Sequence, residues 1–200
     1  MSGRRAESKL RNSHALVTAA RHLFLADGYH RVGIQAIATE AGLTIGAIYS
    51  LFGSKQGLLH AVLADLAGGV EREARALAAE PELDAPAVVT RYVRAYHDFL
   101  STVQGWRALR LEVEALTLVL GSDEPEQALV EFGAGSRVAL TELLRGRELA
   151  GRRLGAVRAE RASVGVTALV RGLAVQSAVE PGAATAQRWV ELALAVLAAS

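Results

Sequence analysis

The chain has no cysteine, which excludes disulfides, thiolate metal ligands and cysteine nucleophiles. Proline is scarce, at four in 200 residues, and aromatics are only 5%. With Ala and Leu abundant, that composition favours helix almost throughout. Strand-period alternation, low-complexity tracts and internal repeats are missing as well. The longest stretch without Asp, Glu, Lys or Arg is residues 41–54, too short for a bilayer, which needs about 20 residues. The opening MSGRRAESKLRN is polar and lacks an apolar signal core. A soluble, cytoplasmic, globular chain with no membrane partner is expected, since 51% of it is hydrophobic and 22% charged.

A net charge of +1 conceals an asymmetry. Residues 1–60 carry Arg4, Arg5, Lys9, Arg11, Arg21, Arg31 and Lys55 against Glu7, Asp27 and Glu40. The remainder carries more acid than base. A basic first third on an acidic body points the N-terminal part toward a polyanion.

Helical punctuation divides that first third. Leu16, Ala19, Ala20, Leu23 and Phe24 form an apolar stripe at i, i+3, i+4 spacing, closed by Asp27-Gly28 at the left-handed C′ position. A second short helix is expected over 34–41, with Ile37 and Ala38 inward. Gly42 then permits a sharp turn, Leu43 plugs the helix pair and Thr44 caps a third helix over 45–51 that buries Ile48 and Phe52. Ser54 caps a long fourth helix carrying Leu58, Leu59, Val62, Leu66 and Val70. Short helix, tight glycine turn, short helix is the helix-turn-helix layout.

Residues 80–84 read as a hinge, with Asp84 and Pro86 as cap and first-turn residues of a helix over 86–103. Further helices are expected over 106–120, from a turn at 121–125 to about 150, over 160–180 and over 183–199. The arginines between Gly151 and Gly155 suggest a solvated loop.

Across residues 16–59 the sequence resembles the TetR family of regulators. Leu16-Val17, Ala19-Ala20, Leu23-Phe24, Gly28-Tyr29, Ile37-Ala38, Ala41-Gly42, Thr44, Gly46, Tyr49, Phe52, Ser54-Lys55 and Leu58-Leu59 carry the likeness. It implies an all-α fold: a three-helix DNA-binding domain at 1–55 and a helical ligand-binding and dimerisation domain at 56–200. Thr44 would cap the recognition helix and offer a phosphate contact, Ile45, Ala47 and Ser50 would face the major groove, and Tyr49 and Lys55 would hold backbone phosphates. Arg31, the amide of Gly33 and Gln35 would touch the backbone or a flanking base. Two positions depart from the family. Val32-Gly33 lacks its usual hydroxyl cap, and Ile45 stands where a polar or basic residue is common. Readout would then lean on thymine methyls and DNA shape.

In the body, Tyr92, Tyr96, Trp106 and Phe132, with His97 and Thr117 as polar members, suit either an ordinary core or, as the resemblance implies, a pocket for a mostly apolar small molecule. Leu140, Leu143, Leu144, Val166, Leu169, Val170 and Leu173 suit either core or, by the same resemblance, a homodimer interface. Gly133, Gly135 and Gly165 inside helices suggest close backbone approach or kinks. An enzyme finds little support. His97-Asp98 has no serine elbow, Glu112-x-Glu114 has no Glu-x-x-His companion, and Arg110 with Glu114 reads as a solvated i,i+4 pair. No cofactor or metal is expected. The reading is a dimeric repressor on a pseudo-palindromic double-stranded operator, released by a small-molecule effector. The alternatives are an activator or ligand-independent regulator of the same fold and, from another class, a helical enzyme or carrier.

Overall fold

The computed structural model describes the backbone of residues 2–123, 127–180, 182 and 185–200, and the side chains of residues 5–66, 76–123, 134–180, 182 and 185–200. The order is α1 (Ser2–Asp27), α2 (Ile34–Glu40), α3 (Ile45–Phe52), α4 (Lys55–Ala78), α5 (Ala85–Leu100), α6 (Val103–Leu120) and α7 (Gln127–Leu144). A two-residue hairpin follows, β1 (Glu148–Leu149) and β2 (Arg152–Arg153), then α8 (Ala156–Val179) and α9 (Ala186–Ala198). The fold is all-α.

Two compact units divide the chain, Met1–Ala67 with Arg107–Gly133 and Gly68–Trp106 with Ala134–Ser200. The first unit takes the start of α4 and most of α6, so both helices run from one unit into the other.

The first unit closes around Leu16, Ala20 and Phe24 of α1, Ile37 of α2, Ile48 of α3 and Leu58, Leu59, Val62 and Leu63 of α4, all buried. Leu111 and Ala115 of α6 join them. Each large aliphatic or aromatic side chain so buried stabilises by about 1.5–3 kcal/mol, so α6 belongs to this core as firmly as α2 does.

In the second unit α5 packs on α9 and α9 on α8. Gly165 is where α8 and α9 approach closely: a Cβ there would lie 2.5 Å from Val196 Cγ1. By contrast, Gly135 meets nothing within 4 Å, and the side-chain surroundings of Gly133 lie outside the described residues. Asp84 caps α5, accepting from the Ala87 amide at 2.8 Å, as its position predicts.

The sequence expectation errs most between 145 and 160. The helix expected to reach about 150 stops at Leu144, and the supposed loop is a hairpin whose register pairs Glu148 with Arg153 and Leu149 with Arg152. Positive φ at both Ala150 (51°) and Gly151 (77°) gives the two-residue turn whose twist matches paired strands. Gly146 (φ 76°) lets the chain leave α7, and the Gly146 and Leu154 amides bond across to Leu154 and Arg147 carbonyls at 2.9 and 2.8 Å.

Candidate DNA interface

Helix α3 is made to be presented. Thr44, extended at ψ 155°, caps it by accepting from the Ala47 amide at 3.2 Å. Gly42 (φ 65°) makes the turn that precedes it. Ile48 is fully buried and fixes the helix against the core, while Tyr49, 54% exposed, and Ser50 point away. Gly46 is also exposed. Ile45 and Ala47 are half-buried and pack against the core cluster, so they show groove-facing atoms only at their edges. Arg31, Gly33 and Gln35 are all exposed at the start of α2. Gly33 is its N-cap with no side-chain hydrogen bond, as the missing hydroxyl at this position predicts. Ser54 caps α4 through the Gly57 amide at 2.8 Å.

Lys55 sits differently from a free surface cation. Its Nζ donates to the Tyr29 carbonyl at 2.6 Å and lies 4.1 Å from the centroid of the Tyr29 ring. Burial lowers the pKa of this ammonium below its ordinary value, and the carboxylate of Glu114 opposes the shift. The first α4 residue is thus fastened to the turn that follows α1, with two of its three N–H donors left over from the Tyr29 bond.

Glu114 is the functional residue that sequence reasoning missed. It reads locally as half of a solvated pair with Arg110, and the pair exists at 3.7 Å. Yet both partners also hold the end of α1. The Glu114 carboxylate accepts from the Tyr29 amide at 2.6 Å, and Arg110 Nη2 donates to the Leu25 carbonyl at 3.3 Å. Gly28 (φ 89°) makes room, for a Cβ there would stand 2.9 Å from Glu114 Oε1. The contact links positions 85 apart in the chain, and no local pattern announces it.

Residues 16–62 match the bacterial regulatory proteins of the tetR family. The domain is that of a TetR-family DNA-binding transcriptional regulator. No curated protein matches this chain in sequence. Among solved structures it is similar to the multidrug binding protein EbrR complexed with imidazole, at 19% identity and TM-score 0.68, covering 92% of this chain and 93% of that one. It is also similar to a transcriptional regulator from Rhodococcus sp. Rha1, at 17% and 0.65 over 92% and 93%. The fatty acid degradation regulator FadR from Bacillus halodurans follows at 18% and 0.62, over 92% and 97%. At such identities the likeness establishes the fold.

In the rest of the chain, the residues expected to line a pocket divide between the units. Tyr92 is buried, Tyr96 and His97 half-buried, and Trp106 exposed, all in the second unit. The His97 ring meets Trp189 edge-on, centroids 5.2 Å apart, so Trp189 is a core neighbour of α5. Thr117 belongs to the first unit, where its hydroxyl donates to the Glu114 carbonyl at 2.7 Å. Phe132 lies outside the described residues.

The residues expected at a dimer interface differ in their exposure. Leu140, Leu143, Leu144, Val166 and Val170 are buried within their own chain, and a covered side chain has no area left for a partner. Leu169 and Leu173 are half-buried. The exposed face of α8 instead carries Val157, Arg161, Val164, Ala168, Gly172, Val175 and Val179. Their spacings of four, three, four, four, three and four residues set them on one side of the helix. By length and composition α8 could cross a membrane, with only 33% of its most apolar stretch buried. A core helix of a soluble protein meets the same description.

Proposed function

We propose that this TetR-family regulator is a homodimeric repressor that leaves a pseudo-palindromic operator when a mostly apolar small molecule binds. The observation that carries the reading is the pair of outward faces. Helix α3, capped by Thr44, offers Tyr49 and Ser50 to DNA, and α8 offers an exposed, mostly apolar row. Phosphate contacts would come from Tyr49, Thr44 and the spare donors of Lys55, with Arg31, Gln35 and the Gly33 amide alongside. Base contacts would fall to Ser50 and the exposed edges of Ile45 and Ala47.

A second copy related by a two-fold axis is the natural occupant of the α8 row, because a helix face of valines and small residues is complementary to itself. The effector reading draws on EbrR, a multidrug binding protein complexed with imidazole and with proflavin, and on Tyr92, Tyr96, His97 and Trp106 of the second unit as lining candidates. Coupling would pass through α4 and α6, the helices that run through both units. An effector and the operator then weaken each other by one common factor, typically about 5- to 150-fold.

The test is a reporter driven by a promoter containing the selected binding site. Deleting the gene should raise expression, and supplying an effector should raise it in the intact strain only. Lower expression on deletion would identify an activator and contradict the repressor reading.

A further inference from the structure

Within the second unit, a cleft of about 500 Å³ opens beside the hairpin. Its lining is apolar at Ala78, Pro81, Ala139 and Leu143, and three further lining residues are arginines, Arg145, Arg147 and Arg153. Glu142 is the one carboxylate among the lining residues, and it pairs with Arg145 at 3.1 Å.

Arg147 explains why the cleft is electropositive. Its side chain is almost wholly covered, with the residue 9% exposed. The guanidinium donates to main-chain carbonyls: Leu143 at 3.2 Å, Leu77 at 2.8 Å, Leu83 at 3.0 Å and Glu80. These bonds satisfy its geometry, and the carbonyl dipoles at the end of α4 supply partial negative charge. They do not supply a full counter-charge, and a buried cation without one remains costly. Arg153 adds a second positive charge at the rim and spends one Nη1 bond on the Gly146 carbonyl at 3.1 Å.

We propose that this cleft binds a small organic anion with a short apolar chain, its charged head (a carboxylate or a phosphate monoester) beside Arg145 and Arg153 and its chain along the apolar lining. The volume falls within the range of small-molecule sites, about 300–1,000 Å³. Arg147 acts chiefly through its field, since four of its five N–H donors are committed, and a bound anion supplies the counter-charge it lacks. The site is independent of the effector reading. It also touches the last turn of α4, because Ala78 lines it and Arg147 holds the carbonyl of Leu77.

The experiment titrates the full-length protein with octanoate and, separately, with octyl phosphate, following backbone amide resonances by NMR. At least one should give saturable shifts at Gly146 and Ala139, the tighter of the two naming the head group, whereas uncharged 1-octanol should leave those amides unmoved. The double variant Arg145→Glu/Arg153→Glu should weaken the anion at least tenfold with an unchanged circular dichroism spectrum, both side chains being at the surface. The proposal is overturned if neither anion saturates these amides, if octanol shifts them equally, or if the folded double variant binds as the wild type does. Should that variant fail to fold, the wild-type shifts with anion against octanol decide alone.

Discussion

Helices α3 and α8 both turn a face outward, and the two faces differ in every chemical respect. On α3 the exposed atoms are a phenol, a hydroxyl and bare backbone, set on a helix of eight residues. On α8 they are mostly valine methyls, an alanine and a glycine along 24 residues, with Arg161 as the one charge in the row. The first suits an anionic, hydrated surface, where polar contacts replace those with water. The second suits another apolar surface, where area removed from water contributes about 25 cal/mol per Å². Exposure alone says little, and the exposed atoms say which partner fits.

The sharpest way to break the comparison is to charge α8. Val164→Arg with Val175→Arg places two cations in the proposed interface, where each unpaired charge costs several kcal/mol. The outcome expected is a folded monomer whose operator affinity falls at least about 100-fold, since one half-site then binds alone. Light scattering, circular dichroism and a gel-shift titration check it. A double variant that stays dimeric would place the interface elsewhere.

Next in size is the Glu114 contact inside the first unit. Glu114→Ala strands the Tyr29 amide and should destabilise by about 1–3 kcal/mol, read by denaturant unfolding. Glu114→Gln keeps an acceptor and should lose less. Equal losses would mean that the charge beside Lys55 matters more than the hydrogen bond.

On α3, Tyr49→Ala should weaken every DNA sequence alike by about tenfold, or 1.4 kcal/mol, as loss of a backbone contact does. A change in base preference would instead make Tyr49 a reader of bases. The smallest effect expected is that of Thr44→Ala. Loss of an N-cap costs about 1 kcal/mol of stability, which thermal unfolding resolves, while Ile48 and Phe52 still hold the helix to the core.

The first third of the chain was legible because its signals are local. Gly28 and Gly42 adopt the positive φ their positions demand, Thr44 and Ser54 cap as hydroxyls three residues before an amide can, and α2 and α3 fall within a residue of expectation. The body was less legible for three physical reasons. The hairpin turns on Ala150 at positive φ, a conformation that alanine does not advertise. The roles of Glu114 and Arg147 depend on partners 64–85 residues away. Helix α8 has apolar residues on every side, so its sequence could not tell the face that packs on α9 from the face left open. That ambiguity left Val166 and Val170, which are buried in this chain, open to a core or an interface reading.

The most direct test of the central claim is selection of bound sites from random double-stranded DNA by the wild-type protein. A dimer presenting two copies of α3 should enrich a pseudo-palindrome, with two half-sites spaced to set both helices in successive major grooves. An asymmetric consensus, or no enrichment at low salt where phosphate contacts are strongest, would contradict it.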